Sequence, residues 1–448
     1  MDPIATATTP PRGRGGIPLL GHTVPLLRGR MQFFQDLRLQ GDLVLIHIGT
    51  RPVYVLNSPD LIHRVLVTDA RNFDKGKMMD KARPFTGNGL VNASAAHHRR
   101  QRRMIQPSFH RDMIAHYGEV MIRSVGEHTA EWRDGQRVRV DEEIQRLVMK
   151  ILTATLFASP AAHHAIAEVH RSLPVFNDGI TRRTLLPELA NRIPTPGNRR
   201  FDRAAAGLRS VVQDLISIYR RSGEDHGDLL SMLVSAQDVE TGQTMTDKEV
   251  QDETITLLVG ALETVTSLLV WLFHVLGENP EIDQRVHTEV ADTIGDRPIQ
   301  IGDYPKLAYT RSVVCEALRL HHPLWILMRR AINPIRLGQF TVPAGAELVF
   351  SQATLHRDPV LYPAPMTFRP ERWLDSSTDE RSNSFIPFGG GSRLCIGDRF
   401  AWMEMVLVLA ASASRWRLVP VPGHRIRPSR SIVIHPGRLP MELAERTH

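Results

Sequence analysis

The stretch FGGGSRLCIG, residues 388–397, places one of the chain's two cysteines in a glycine-rich loop beside an arginine. The residues that follow, DRFAWMEMVLVLAAS (398–412), carry apolar positions at helical spacing, which predicts that Cys395 lies where a loop enters a helix. The N–H groups of a helix start and the nearby Arg393 both favour a thiolate. A thiolate can attack a carbonyl, exchange disulfides or bind a metal, whereas a cysteine kept for packing does none of these.

Size and composition indicate an ordinary globular protein. The chain has 448 residues, of which 42% are hydrophobic and 23% charged, and it shows neither a low-complexity linker nor an internal repeat. We expect one large domain over residues 1–448, or two closely packed lobes, with residues 1–20 as an N-terminal segment rich in proline and glycine. The two cysteines lie far apart without a CxxC pair, which argues against a disulfide scaffold or a zinc knuckle and favours a reducing cytosol.

No segment near the N-terminus has the apolar core of a signal peptide, so a cytoplasmic location is expected. The run TITLLVGALETVTSLLVWLFHVL, residues 254–276, is long enough to span a bilayer. A membrane span would place Glu263 and Thr264 near mid-bilayer, with no second span to shield them. We therefore expect a helix buried in a large core and no membrane span. Burying a lone acid in such a helix costs free energy, so the presence of Glu263 suggests that the protein uses it.

The formal net charge is +7, and the densest basic run is HHRRQRR at residues 97–103. A solvated helix face is the simplest explanation of this run. The sequence after it, MIQPSFH, lacks interleaved aromatic residues on which bases would stack, so a nucleic-acid partner is not expected.

Periodicity predicts a mainly α-helical fold with small β-sheets at the edges. A helix over residues 31–41 precedes a hairpin of LVLIHI and VYVLN joined by GTRP, and residues 97–330 are mostly helical in period. Strand patterns return late, at residues 335–351 (IRLGQFTVPAGAELVFS), 429–436 (SRSIVIHP) and 440–443 (PMEL). Residues 357–391 form a long irregular run that leads directly to Cys395, which suggests that this loop shapes the surroundings of the cysteine.

Four short motifs occur in a fixed order. They are GALET (260–264), an ExxR pair formed by Glu316 and Arg319, FRPERW (368–373) with Arg372, and the Cys395 loop. This order resembles the cytochrome P-450 family of haem-thiolate monooxygenases over nearly the whole chain. The resemblance implies the cytochrome P-450 fold, with haem between a central long helix and the cysteine loop. It also implies that Glu316, Arg319 and Arg372 form a structural ion triad.

The resemblance implies haem b (iron protoporphyrin IX) as cofactor and Cys395 as the axial ligand of its iron. Phe388 is expected to pack beside the cysteine and Arg393 to reach a haem propionate. Glycines in the loop, Gly397 among them, permit close backbone approach to an iron-bound sulfur. Cys315 is expected to be a core thiol.

Further propionate partners follow from the same resemblance. His98 and Arg102 are spaced i, i+4 and match the HxxxR pattern of bacterial members of the family. Arg329, in the segment MRRA, matches another propionate-binding position.

On the central helix the resemblance assigns proton delivery to Glu263 and Thr264. The Thr264 hydroxyl can bond the carbonyl of Gly260 and is expected to open the helix locally. The sequence departs from the commonest motif at Ala261 and Val265, and Thr266 is a candidate for partial substitution.

Segments that face the haem in this family carry no charge here: Leu262 and Val265, then residues 324–327 (LWIL) and 432–434 (IVI). The expected substrates are dioxygen and a neutral lipophilic molecule, either a terpenoid or a fatty chain. The segment HRRQRRMIQPSF (98–109) gives a looser resemblance to actinobacterial terpene oxygenases.

The chain has no flavin or nicotinamide fingerprint, so its electrons are expected from ferredoxin and ferredoxin reductase. Arg99 and Arg103 are candidates to meet that acidic partner. The alternatives to a haem monooxygenase are a cysteine-nucleophile hydrolase without haem, which would be colourless, and a haem protein that only binds ligands.

Overall fold

The computed structural model describes residues 9–185, 188–374, 382–429 and 432–446. Helices dominate the described residues, which confirms the mainly α prediction. They are α1 (Thr23–Arg38), α2 (Pro59–His63), α3 (Lys77–Thr86), α4 (Ala95–Ile105), α5 (Arg111–Thr129), α6 (Val140–Leu156), α7 (His163–Leu185), α8 (Glu188–Arg192), α9 (Pro196–Ser222), α10 (Leu229–Ser235), α11 (Asp247–Glu278), α12 (Pro280–Ile294), α13 (Ala308–Leu320), α14 (Gln352–Leu355) and α15 (Asp398–Ala413).

The strands are short. They are β1 (Leu43–Ile48), β2 (Arg51–Leu56), β3 (Phe73–Asp74), β4 (Arg137–Arg139), β5 (Leu327–Ala331), β6 (Ile335–Leu337), β7 (Phe340–Val342), β8 (Glu347–Phe350), β9 (Trp416–Pro420) and β10 (Pro440–Glu445). The chain divides into two compact units. The first comprises Met1–Asp80 and Leu318–Cys395, and the second comprises Lys81–Ala317 and Ile396–His448.

A five-stranded sheet of order β1-β2-β8-β5-β3 organises the first unit. The predicted hairpin is confirmed, since Leu43 pairs with Leu56 and Ile48 with Arg51 in antiparallel register. Its turn is tighter than the predicted GTRP connection: Arg51 and Pro52 belong to β2, and Gly49 has a φ of 60° that suits glycine. Strand β8 pairs parallel with β2 and antiparallel with β5.

The irregular segment after α14 is also part of the first unit, and a buried arginine anchors it. Arg319, at the end of α13, donates from Nη1 to the carbonyl oxygens of His356 (2.8 Å) and Pro365 (2.7 Å). Arg372 donates to the carbonyl of Pro363 at 3.3 Å. A guanidinium with several donors satisfies carbonyls that have no strand or helix partner. Residues 375–381 of the predicted irregular run lie outside the described part of the chain.

Helix α11 runs through the core of the second unit, where it packs on α6 and α9. It begins with a reciprocal capping box between Thr246 and Glu249, which starts the helix seven residues before the predicted apolar run. In the described part of the chain it is the one helix long and apolar enough to cross a membrane, and 67% of its most apolar window is buried. That burial agrees with the predicted core helix.

A three-stranded sheet of order β4-β10-β9 lies in the second unit and includes the predicted PMEL strand. The strand predicted at residues 429–436 was wrong for the described part of that range, which forms no strand beyond an isolated bridge residue; residues 430–431 are outside the description. Instead, the carbonyl of Ile434 accepts hydrogen bonds from Ser267 Oγ (2.7 Å) and Trp271 Nε1 (3.1 Å) of α11. Two side chains of α11 thus supply the hydrogen bonds that a neighbouring strand would give to this carbonyl in a sheet.

Candidate active site

The site residues predicted from the sequence fall in both units. The first unit holds Cys395, Phe388, Arg393 and Arg329, and the second holds Glu263, Thr264, His98, Arg102 and Gly397.

The loop before Cys395 is closed by its own backbone. The N–H of Cys395 donates to the carbonyl of Phe388 at 3.0 Å, and the N–H of Leu394 donates to the carbonyl of Gly391 at 3.0 Å. Gly391 has a φ of 65°, and a Cβ there would lie 1.9 Å from the carbonyl oxygen of Leu66. Glycine is therefore required at position 391 by both conformation and space.

The two cysteines have opposite environments. Cys315 is fully buried in α13, as expected of a core thiol, whereas Cys395 is exposed. The helix α15 begins at Asp398, three residues after Cys395, which confirms the predicted loop-to-helix position. The exposure of Cys395 is not what a cysteine kept for packing would show.

A group of cations surrounds this loop in the first unit. Arg393 donates to Asp74 Oδ1 at 3.1 Å, and the buried Arg329 on β5 and Lys75 after β3 lie within electrostatic reach of both. Burial and then the charge of Arg393 lower the pKa of Arg329 to about 10. Burial, followed by the charges of Arg329 and Arg393, holds the pKa of Lys75 well below its usual value. Among the described residues, Arg393, Arg329 and Lys75 thus lie around Asp74, and Cys395 also acts on the charge of Lys75.

Lys75 was missed by the sequence-based prediction. Its segment, FDKGK at residues 73–77, carries no motif of its own, and only the pairing of β3 with β5 brings Lys75 near Arg329. The excess positive charge, in partly or fully buried positions, suits a ligand that brings anionic groups.

Helix α11 has one open face in the middle of its buried length. Leu257, Gly260, Ala261 and Thr264 are partly or fully exposed, and they fall on one side of the helix at i, i+3, i+4 and i+7. A Cβ built on Gly260 would meet no atom within 4 Å. Leu262, predicted to line a pocket, is buried outside this face and belongs to the core.

The predicted hydrogen bond from Thr264 is confirmed: its Oγ1 donates to the carbonyl of Gly260 at 2.7 Å. The predicted opening of the helix was wrong, because α11 is α-helical without interruption from Asp247 to Glu278. A carbonyl oxygen has two lone pairs, so it can accept a hydrogen bond from a threonine hydroxyl and keep its backbone hydrogen bond. Thr266 is buried on the opposite side, so it does not share the open face.

Glu263 is the acid beside Thr264. Burial, assisted by the negative charge of Asp178, raises the pKa of Glu263 to about 7. A carboxyl with that pKa exchanges its proton near neutral pH, the range in which a general acid works best.

The side chains of the basic helix α4 differ in burial and in hydrogen-bond partners. His98 is buried, while Arg102, one turn later, is partly exposed and donates from Nε to Gln106 Oε1 at 3.2 Å. Arg103 donates to Asp238 Oδ1 at 3.1 Å and forms an ion pair with Glu240 at 2.8 Å. The expectation that Arg103 meets an acidic partner is weakened, because its charge is already balanced within the unit. Arg99 remains exposed.

The donor set fits a haem better than a bare metal ion. Among the described residues no group of three or more His, Cys, Asp or Glu side chains is placed to hold a metal. One exposed thiolate can hold iron only if the other ligands come with the iron, as they do in a porphyrin. The excess cations beside the thiolate complement the two carboxylates of such a group.

An exposed cysteine with cations nearby fits a protein that binds an iron macrocycle, and comparison with known proteins identifies the class. The family model for cytochrome P450 matches residues 10–441. The cyclooctat-9-en-7-ol 5-monooxygenase of Streptomyces melanosporofaciens is 42% identical over 98% of this chain and 95% of its own. The pentalenene oxygenase of Streptomyces avermitilis is 36% identical, with 97% of each chain covered.

The crystal structure of the cytochrome P450DA heme domain superposes with a TM-score of 0.87 at 22% identity, covering 98% of both chains. The chain belongs to the cytochrome P450 family. It is a haem b monooxygenase, as the four motifs predicted, and its similarity to an actinobacterial terpene oxygenase is also confirmed.

Proposed function

We propose that this enzyme inserts one atom of dioxygen into a neutral lipophilic terpenoid, using electrons from a ferredoxin and its reductase in the cytoplasm. The observation that carries the proposal is the exposed Cys395 thiol in its closed glycine loop, with three cations beside it and one carboxylate.

In this proposal the Cys395 thiolate would hold the haem iron, and the carbonyl of Phe388 closes the loop by accepting a hydrogen bond from the N–H of Cys395. Arg393, Arg329 and Lys75 balance the propionates. His98 and Arg102 are further propionate partners, on the strength of the HxxxR motif. The lowered pKa of Arg329 shows the cost of its burial without sufficient negative charge nearby, and bound carboxylates would remove that cost.

When bound, haem b supplies the iron centre at which dioxygen is reduced and from which one oxygen atom passes to the substrate. The protein's part is to deliver protons and exclude water. Glu263 holds a proton near neutral pH, and Thr264, on the open face of α11, positions water beside the reacting oxygen.

The apolar character of the predicted lining supports a neutral substrate. Leu257 and Ala261 stand on the open face of α11, and the segment of Ile434 is tied to the same helix through Ser267. The relatives named above act, by their names, on cyclooctat-9-en-7-ol and on pentalenene. We infer a polycyclic terpene skeleton in preference to a linear fatty acid, which would bring a carboxylate.

The test uses the haem-loaded enzyme with a panel of polycyclic terpenes and terpene alcohols and, as controls, fatty acids of matched carbon number. We expect the terpenes to shift the haem spin state at micromolar concentration and to be oxidised when ferredoxin, its reductase and NADPH are added. Fatty acids should do neither. Spin-state shifts and products from the fatty acids alone would overturn the substrate class, and a protein without a thiolate-type carbon monoxide spectrum would overturn the whole proposal.

A further inference from the structure

Three buried side chains of the first unit hold the backbone just before the cysteine loop. His322 Nε2 lies 2.7 Å from the carbonyl oxygen of Pro387. At the preceding residue, Gln352 Nε2 donates to the carbonyl of Ile386 at 2.5 Å, and His356 Nε2 accepts the N–H of Ile386 at 3.1 Å. Each of the three side chains is at most 4% exposed. Side chains thus fix the two residues that lead into the loop, which belong to no strand.

The ring of His322 contacts two segments of the first unit at once. Its Nδ1 lies 2.5 Å from the carbonyl oxygen of Leu324, which leads into β5, the strand with a proposed propionate partner. Its Nε2 contacts Pro387, the residue before Phe388, and the carbonyl of Phe388 accepts the N–H of Cys395. The histidine therefore connects the start of β5 with the bond that closes the cysteine loop.

The local sequence places His322 in the bend that follows α13. The helix ends at Leu320, and Pro323 cannot continue it. In this bend the ring is buried, and it packs edge-on against His356 with ring centroids 5.7 Å apart. A buried N–H needs an acceptor within the protein, so the hydrogen of this ring is directed to a neighbouring carbonyl.

The ring faces two acceptors but has one hydrogen to offer when neutral. Burial lowers the pKa of His322, the bonds to the carbonyls of Pro387 and Leu324 oppose this, and the charge of Arg357 adds to the lowering. With a pKa below its ordinary value, the ring is neutral near pH 7. Hydrogen on Nε2 bonds Pro387, 65 residues away in the chain, whereas hydrogen on Nδ1 bonds Leu324 within the same bend. Only the first arrangement can hold the cysteine loop.

We propose that His322 is a positioning residue for the cysteine ligand: with its hydrogen on Nε2 it ties the carbonyl of Pro387 and keeps the cysteine loop closed. The proposal rests on the proposed role of Cys395 as the iron ligand. A partner behind the ligand fixes where the ligand stands. Without the tie, the bond between the Cys395 N–H and the Phe388 carbonyl opens more often, and the thiolate leaves the iron more readily.

Two amide substitutions separate the two nitrogens of the ring. The amide nitrogen of glutamine reaches the position of Nε2, and that of asparagine the position of Nδ1. His322→Gln thus keeps a donor for Pro387, and His322→Asn keeps one only for Leu324. The direct readout is deuterium exchange of the Cys395 N–H in the holoenzyme, followed by mass spectrometry. We expect His322→Asn to speed this exchange roughly tenfold and His322→Gln to keep the wild-type rate.

The second readout is the thiolate-type band of the reduced carbon monoxide complex. In His322→Asn and His322→Leu this band should decay on the order of tenfold faster than in the wild type, and in His322→Gln at the wild-type rate. Asn57→Leu is the matched control, because Asn57 is a buried donor of the same unit to the carbonyls of Leu37 and Gly41. It should lower the melting temperature as His322→Leu does, yet leave both readouts unchanged.

The outcomes separate this proposal from the one on which it rests. Equal behaviour of His322→Asn and His322→Gln in both readouts would overturn the tie, and so would rescue by asparagine without rescue by glutamine. If the wild-type carbon monoxide complex itself lacks the thiolate-type band, the proposed role of Cys395 fails instead.

Discussion

Thr264 Oγ1 donates its hydrogen to the carbonyl oxygen of Gly260, 2.7 Å away and one turn earlier on α11. The hydroxyl has a single hydrogen, so its lone pairs remain to accept a bond from water on the open face of the helix. Thr264 is thus oriented as a neutral hydrogen-bond acceptor toward the open face.

Replacing Thr264 by valine keeps the side chain's size and removes this acceptor. We expect Thr264→Val to retain haem and its substrate-induced spectral shift, to consume NADPH at a comparable rate, and to release more hydrogen peroxide and less oxidised product. The buried Thr266 lies off the open face, so Thr266→Val is the control and should keep normal coupling. If the two variants have equal product-to-NADPH ratios, Thr264 has no part in proton delivery.

The two cysteines allow a matched test of the axial ligand. Cys395→Ser should lose the red-shifted band of the reduced carbon monoxide complex, because a neutral hydroxyl does not donate the charge of a thiolate. Cys315→Ser, in the core, should keep that band and lose only stability. A normal spectrum from purified Cys395→Ser protein would exclude Cys395 as the ligand.

Replacing Lys75 is expected to stabilise the haem-free protein and to weaken haem binding in the loaded protein. Because burial, and then the charges of Arg329 and Arg393, disfavour the charged form of Lys75, Lys75→Met should raise the thermal stability of the haem-free protein. The same change removes a partner of the propionates, so haem should transfer to apomyoglobin roughly tenfold faster, the factor that 1.4 kcal/mol represents. Lys77→Met, at an exposed neighbouring position, is expected to change neither quantity. Slower haem loss from Lys75→Met would contradict a propionate role.

Glu253 makes stability depend on pH. It is 1% exposed, its Oε2 accepts the N–H of Leu90 at 3.0 Å, and burial raises its pKa to about 8. The unfolded chain releases this proton near pH 4.5 and the folded chain near pH 8, so the folded state binds more protons in between. Stability is therefore full at low pH and falls as the pH rises from about 4.5 to 8, by a few kcal/mol in order of magnitude.

Glu253→Gln keeps an acceptor for Leu90 and has no charge to bury. We expect it to leave the free energy of unfolding little changed at pH 5 and to raise it at pH 8.5, measured by urea denaturation. Glu131→Gln, at an exposed position, should parallel the wild type at both values. An equal pH dependence in Glu253→Gln and the wild type would show that Glu253 is ionised in the folded protein.

Arg319 anchors the segment that leads to the Cys395 loop. Arg319→Ala leaves the carbonyls of His356 and Pro365 without their donor and should abolish haem incorporation, with a loss of stability of about 3–5 kcal/mol. Arg319→Lys keeps the charge but not the planar set of donors and should give partial incorporation. Full haem content with slow turnover in Arg319→Ala would assign Arg319 a catalytic role in place of the structural one.

Much of this protein was determined by local sequence. The alternation in LVLIHI and VYVLN predicted the β1–β2 hairpin, and the apolar run around Glu263 predicted a core helix, because side-chain period and turn chemistry are properties of neighbouring residues. The glycine-rich sequence of residues 388–397 likewise indicated an irregular loop, and Gly391 there adopts a left-handed φ that few other residues tolerate.

Tertiary structure decided what depends on residues distant in the chain. Residues 432–436 have a strand pattern but form no strand in the described part of the chain, and side chains of α11 bond the carbonyl of Ile434 instead. Lys75 joins Arg329 only through strand pairing, and Arg103 is neutralised by Asp238. Burial, and then the negative charge of Asp178 on another helix, raises the pKa of Glu263. A pKa depends on burial and on charges nearby in space, and a strand depends on an available edge, so neither can be obtained from the period of the segment itself.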